Sequence, residues 1–376
     1  MNTKQLWRFL NMLVATCLIV FMCQSCSDSS DGSSDTAGST ATTEGSVVYK
    51  GPGSIWTLDI SGDAFTLKDE ADSTTTISAE GSVGTSATGF MVFTISASDG
   101  SGGPAVGAKI VGVDVPGIAF MLQPVGSGSE VITLLKYGTC PTANIEANWV
   151  KTKSNFRDTD LGNGDSDTEF GAPDAWLGQY KFDITSSVAS LPASWSITNL
   201  NGDEFPVFNS TAEELGSGSC SNGILEITES SGTSRLFMTE NGGAIADITG
   251  TQSIMGFTRH EISSADQVDG NYIGFFFFGG SGDVYKVQAT SSSGTMTLDL
   301  LSADTETISQ AAAATITDYQ INTPSEGFVK VTLNTGNMEK LACNFSTNLG
   351  NSAKKILFCV GKGSEHKHKN VLLVSK

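Results

Sequence analysis

From residue 47 onward, short runs of β-type residues alternate with gaps that carry Gly or Pro. Segments 54–60, 90–96, 118–123, 224–228, 272–278, 328–333 and 356–360 are examples, and they recur at hairpin spacing. Such a chain can bury its apolar residues only by pairing neighbouring runs into antiparallel sheets. The expected fold is therefore all-β, built from antiparallel sandwich or barrel modules with few short helices. The 42 glycines serve many turns, and runs suited to long helices are missing. Helix signals are brief. Ser210-Thr211-Ala212-Glu213 has capping-box form, Ser264 to Gln267 offers a second turn, and Ala311 to Ala314 reads as either helix or loop.

Residues 1–46 obey different rules. Lys4 and Arg8 precede an apolar run from Phe9 to Met22, which is shorter than the ~20 residues of a membrane-spanning helix. A basic start, a short apolar segment and a small residue describe a secretory signal. The run ends at Cys23-Gln24-Ser25-Cys26, which resembles the lipobox of bacterial lipoproteins, departing from it at Cys23. That resemblance implies cleavage after Ser25 and a lipid on Cys26; ordinary cleavage without a lipid is the alternative. Residues 26–46 are rich in Ser, Asp and Thr and hold no large apolar residue, so they read as a disordered tether. The remaining chain divides into an N-terminal β domain over 47–140 and a C-terminal β domain over 141–376. The second could split in two at a seam near 268–271.

Without residues 1–25 the chain keeps 40 acidic and 19 basic residues, a net charge of −21. Nucleic-acid binding, which needs Lys and Arg against phosphates, is disfavoured. Four cysteines lie beyond the tether: Cys140, Cys220, Cys343 and Cys359. An even number in an exported chain suggests disulfides, with three connectivities open. Cys343 and Cys359 are symmetric about Asn351, so a hairpin turning there would place them opposite each other. Cys140 with Cys220 is the complement of that pairing.

Residues 158–174 form an acidic loop. Counting Asn163 as position 1 puts Asp165 at 3, Asp167 at 5 and Asp174 at 12. This resembles an EF-hand loop, with Thr168 where that family has Gly, and it makes Ca²⁺ the one candidate cofactor. A solvated polar loop is the alternative. His366 and His368 flank Lys367 and offer only two ligands to a metal, while His260-Glu261 lacks the second histidine of a zinc protease motif. No nucleophile elbow, phosphate loop or haem-attachment motif occurs. Aromatic residues cluster at Trp149, along Asp174-Ala175-Trp176-Leu177-Gly178-Gln179-Tyr180, and at Tyr272 and the phenylalanines after it. Trp149 with its surrounding strand resembles the first strand of lipocalin-type barrels, departing from it at Ala147, where that family has Gly. On strands such residues either fill cores or line a ligand cavity. Trp149, Trp176 and Tyr272 are the candidate ligand-binding set.

No catalytic constellation can be assembled from these pieces. The reading is a lipid-anchored, exported envelope or surface protein with a noncatalytic structural or binding role. It would sit on the outer membrane or cell surface, or be secreted if unlipidated. A small-molecule, glycan or protein partner stays open. The alternatives are a carrier of a small apolar ligand in a β-barrel and a secreted polysaccharide-active hydrolase. A packed interior favours the first reading, and a cavity lined by Trp149, Trp176 or Tyr272 favours the carrier.

Overall fold

The computed structural model describes residues 47–50, 56–69, 77–98, 105–115, 119–124, 132–136, 140–152, 176–196, 207–209, 213–229, 232–238, 245–247, 253–277, 284–302, 306–347, 353–362 and 368–376. These residues form three sheets that follow one another along the chain, and the fold is all-β. Between sandwich and barrel, the pairings decide for barrels.

The first sheet is a closed barrel of β1 (Val47–Lys50), β2 (Trp56–Ser61), β3 (Ala64–Asp69), β4 (Ile77–Thr85), β5 (Met91–Ser98), β6 (Lys109–Val115), β7 (Ala119–Pro124) and β8 (Ile132–Lys136). Each strand pairs with the next, and β1 closes on β8 through Tyr49 opposite Lys136. Its interior holds Leu58, Phe65, Ala79, Val83, Phe93, Ile95, Ile110 and Leu134.

The second sheet contains β9 (Ile145–Thr152), β10 (Trp176–Asp183), β11 (Val188–Ser196), β12 (Val207–Asn209), β13 (Glu213–Ser221), β14 (Ile224–Glu229), β15 (Gly232–Met238), β16 (Ile245–Asp247) and β17 (Ser253–Thr258). It too forms a ring, because β10 pairs with β9 on one side and β11 on the other, while β17 returns to β9. Strand β12 stands outside the ring, paired to the end of β11 that β13 leaves uncovered. The weakest joint is β16 to β17, where a single pair, Ile245 with Gly256, is registered.

The third sheet is a closed barrel of β18 (Gly270–Phe277), β19 (Val284–Ser292), β20 (Thr295–Leu301), β21 (Ile308–Ile321), β22 (Phe328–Asn334), β23 (Met338–Thr347), β24 (Lys355–Lys362) and β25 (His368–Ser375). A 3-10 turn, Ala265–Val268, leads into it from the second sheet, where the sequence suggested a short turn. Tight hairpins follow from local chemistry. Asn222-Gly223 and Ser293-Gly294 hold positive φ at both turn residues, the geometry whose twist matches that of paired strands.

Two helix-like signals give way to the sheets. Glu213, the last residue of the capping-box segment, opens β13 and pairs with Leu191. Ala311 to Ala314 lie inside β21 rather than in a helix or loop. A bulge there is pinned by Asp299, whose carboxylate accepts the Ala312 N–H at 2.8 Å. Cross-strand partners outweigh the few tenths of a kcal/mol by which alanines favour a helix.

The third barrel is buried on two sides. Inward residues Tyr272, Phe276, Val287, Leu298, Val331, Leu341, Phe345, Leu357 and Leu373 fill its core. The alternating outward residues Phe275, Ala342, Asn344, Ile356, Phe358, Val360 and Leu372 are buried as well. The other two barrels cover them. Strands β23 and β24 lie against β9, β17 against β23, and β25 against β6. Phe90 of the first barrel meets Phe275 edge-on, with ring centroids 6.0 Å apart. Asn344 donates its side-chain N–H to the Asn148 carbonyl at 2.6 Å, and Asn148 in turn donates to the Glu326 carbonyl at 2.6 Å. Thr88 bonds to Glu306, whose carboxylate also lies 4.0 Å from the buried Lys286 ammonium. Arg259 bridges Glu146 of the second barrel and Glu326 of the third.

One carboxyl in the first barrel works against stability at neutral pH. Asp114 follows Ile110 and Gly112 on one face of β6, and its Oδ1 is buried with no hydrogen-bond partner among the described residues. Burial pushes its carboxyl up to about 6, with the nearby Lys354 charge opposing the rise. Folding therefore favours the protonated form. Stability should increase as pH falls from above 6 toward 4, and the ionised group should cost on the order of 3 kcal/mol at pH 7. Asp114→Asn should recover about that amount at pH 7 and flatten the profile between pH 4 and 6. Denaturant unfolding at several pH values tests this; a destabilised variant with an unchanged pH slope contradicts it.

A candidate ligand site in the second barrel

Alternation along β9 and β10 builds this site. Ile145, Ala147 and Trp149 face the interior from β9, and Tyr180 and Phe182 face it from β10. The register sets Trp149 opposite Gly178 and Ala147 opposite Tyr180. Gly178 is required there, because an added Cβ would lie 2.1 Å from Cζ2 of the Trp149 ring. The indole thus lies across the β10 backbone in space that only glycine leaves open.

The two ends of this interior differ. Around Ile145, Phe182, Ala189, Leu225 and Ile227 the packing is close. Gly218 faces both Phe182 and Leu225, and a Cβ there would come 3.0 Å from each. The Cys140–Cys220 disulfide closes this end by tying the entry to β9 onto β13. At the other end stand two polar groups. Trp149 is 6% exposed and Tyr180 2%. Neither the indole N–H nor the Tyr180 hydroxyl has a hydrogen-bond partner among the described residues. Burial pushes the Tyr180 hydroxyl well above its usual range, so it remains a neutral donor at any physiological pH. The described members of this core carry no charged side chain. Among the described residues, this core therefore presents two neutral hydrogen-bond donors.

The candidate ligand residues are distributed differently from the sequence expectation. Trp149 lies in the second barrel, whereas Tyr272 lies in the third, its hydroxyl donating to the Val268 carbonyl at 2.6 Å. Trp176 opens β10, paired with Lys151 and Ser196. Tyr180 belongs to the aromatic cluster read from the sequence but not to the candidate ligand-binding set. Its signal is the two-residue period Gly178-Gln179-Tyr180, which sets a small residue and a polar aromatic on one face beside Trp149. The second disulfide, Cys343–Cys359, joins directly opposed residues of β23 and β24 inside the third barrel. His260 lies with Nδ1 3.4 Å from the Thr258 carbonyl and its ring 6.2 Å from that of Phe345. Cys26, His366 and the acidic loop with Asn163, Asp165, Asp167 and Asp174 lie outside the described residues. Among the described residues, no group of three or more His, Cys, Asp or Glu side chains is placed to hold a metal ion.

Compared with known proteins, the sequence matches no family model and no curated protein. Among solved structures it is similar to a vaccine antigen, a mutant of transferrin binding protein B from Haemophilus parasuis Hp5. The identity is 10% and the TM-score 0.25. The match covers 85% of this chain and 66% of that one, just under two thirds of its length.

Proposed function

We propose that this chain is exported, held on a membrane by a lipid on Cys26, and serves at the cell envelope or surface in a noncatalytic structural or binding role. The observation that supports this most is the state of the cysteines. All four beyond the tether are joined in two disulfides, Cys140–Cys220 and Cys343–Cys359. Such bridges persist in oxidising compartments and are rare where thiols are kept reduced. The three other cysteines, Cys17, Cys23 and Cys26, all lie in the N-terminal segment. A net charge of −21 beyond residue 25 suits a soluble body held off a membrane. The filled third barrel, against which the other two pack, suits a rigid display platform.

Labelling cells with an alkyne-bearing fatty acid, followed by membrane fractionation, tests the anchor. Wild type should carry label and sediment with membranes. Cys26→Ser should lose the label completely and move to the soluble fraction. Equal labelling of the two proteins would refute the assignment.

A further inference from the structure

We infer that the second barrel binds a small, neutral, largely apolar molecule through a carbonyl-type oxygen that accepts hydrogen bonds from Trp149 Nε1–H and Tyr180 O–H. Burying a donor without an acceptor costs about 1–3 kcal/mol. Here two such donors belong to one core, on adjacent strands, with Trp149 and Tyr180 displaced by one pairing step on the same face. Their placement is specific. Gly178 admits the indole, its absent Cβ leaving room beside Nε1, and Ala147 is the register partner of Tyr180. The opposite end is closely packed around Phe182, Gly218 and Leu225.

The chemistry of the ligand follows from the lining. Apolar walls select an apolar body. Two neutral donors select one oxygen with two lone pairs, as a ketone, amide or ester carries. A carboxylate would enter a core whose described members hold no cation, on a protein with strong negative charge.

Prodan, a neutral naphthyl ketone whose emission shifts to the blue in apolar surroundings, is a suitable probe. The full chain carrying Cys26→Ser should be used, so that neither acyl chains nor detergent take up the dye. Saturable binding of one prodan per chain is expected, with Kd on the order of 10–100 µM for a ligand of this size. Tyr180→Phe and Trp149→Phe should each weaken it about 5- to 10-fold, the value of one hydrogen bond. Tyr272→Phe, in another barrel and with its hydroxyl already bonded, should bind as wild type does.

A second readout separates binding from structure. Without dye, Tyr180→Phe removes a buried hydroxyl that has no partner among the described residues, so its melting temperature should hold or rise. With saturating dye, wild type should gain more thermal stability than the variant. Absence of saturable binding, or equal affinity in wild type, Tyr180→Phe and Trp149→Phe, would overturn the inference. The anchor plays no part in this test, so either proposal can fail alone.

Discussion

Replacing Phe275 by Ala should detach the first barrel from the third. Phe275 faces outward from β18, is fully buried, and meets Phe90 across the boundary between the two barrels. Phe90 is itself fixed: its N–H donates to the Ser86 hydroxyl at 3.1 Å, and its carbonyl accepts the Ser86 N–H at 2.8 Å. A phenylalanine truncated to alanine in such a setting costs about 3–5 kcal/mol. The loss falls on the contact between barrels, so calorimetry should show one transition dividing into two. Protease should also reach the first barrel at lower temperature. Phe276→Ala provides the contrast, since Phe276 points into the third barrel's own core. It should destabilise that barrel by a similar amount without selectively releasing the first. If Phe275→Ala melts as wild type does, the contact carries no coupling between the barrels.

Removing the Cys140–Cys220 bridge should produce a comparable loss within the second barrel. The cysteines are 80 residues apart, and cross-linking a loop of that length restricts the unfolded chain by about 4–5 kcal/mol. Cys343–Cys359 spans 16 residues, for which the same reasoning gives about 3 kcal/mol. The Cys140→Ala, Cys220→Ala double variant should therefore lower the denaturant midpoint of the second barrel's transition. Tryptophan fluorescence would report it, because Trp149, Trp176 and Trp195 all lie on strands of this barrel. The ring closes weakly through β16 and β17, so little else compensates for the lost bridge. A loss below about 1 kcal/mol would show that the unfolded second barrel is restrained by other means.

Local patterns made most of the strands legible. Hairpin partners are close in sequence, and turns such as Asn222-Gly223 announce themselves by residue type. The Cys343–Cys359 pairing was legible for the same reason, since a hairpin centred near Asn351 sets the register of β23 on β24. What the sequence left open depends on distant residues. Whether a row of strands closes is decided by pairs such as Tyr272 with Ser375, which no local signal encodes. The contacts between barrels were hidden too, though a trace of them exists. Ile356 to Val360 and Val371 to Val374 are apolar at every position, where a barrel with one wet face would alternate. Those strands are buried on both faces. The candidate site shows the same division. Trp149 attracted notice as a large aromatic, whereas Tyr180 and Gly178 gain meaning only once the register sets them beside it.

The way each barrel closes has a consequence for how such a chain can change over generations. In every one the opening and closing strands are neighbours: Tyr49 faces Lys136, Ala147 faces Thr258, and Tyr272 faces Ser375. The polypeptide thus enters and leaves each unit at one spot. A whole unit could be gained by duplication, lost by deletion, or rejoined in permuted order with a short new linker, and every remaining ring would keep all its pairings. Only the surface that the missing unit had covered would need repair.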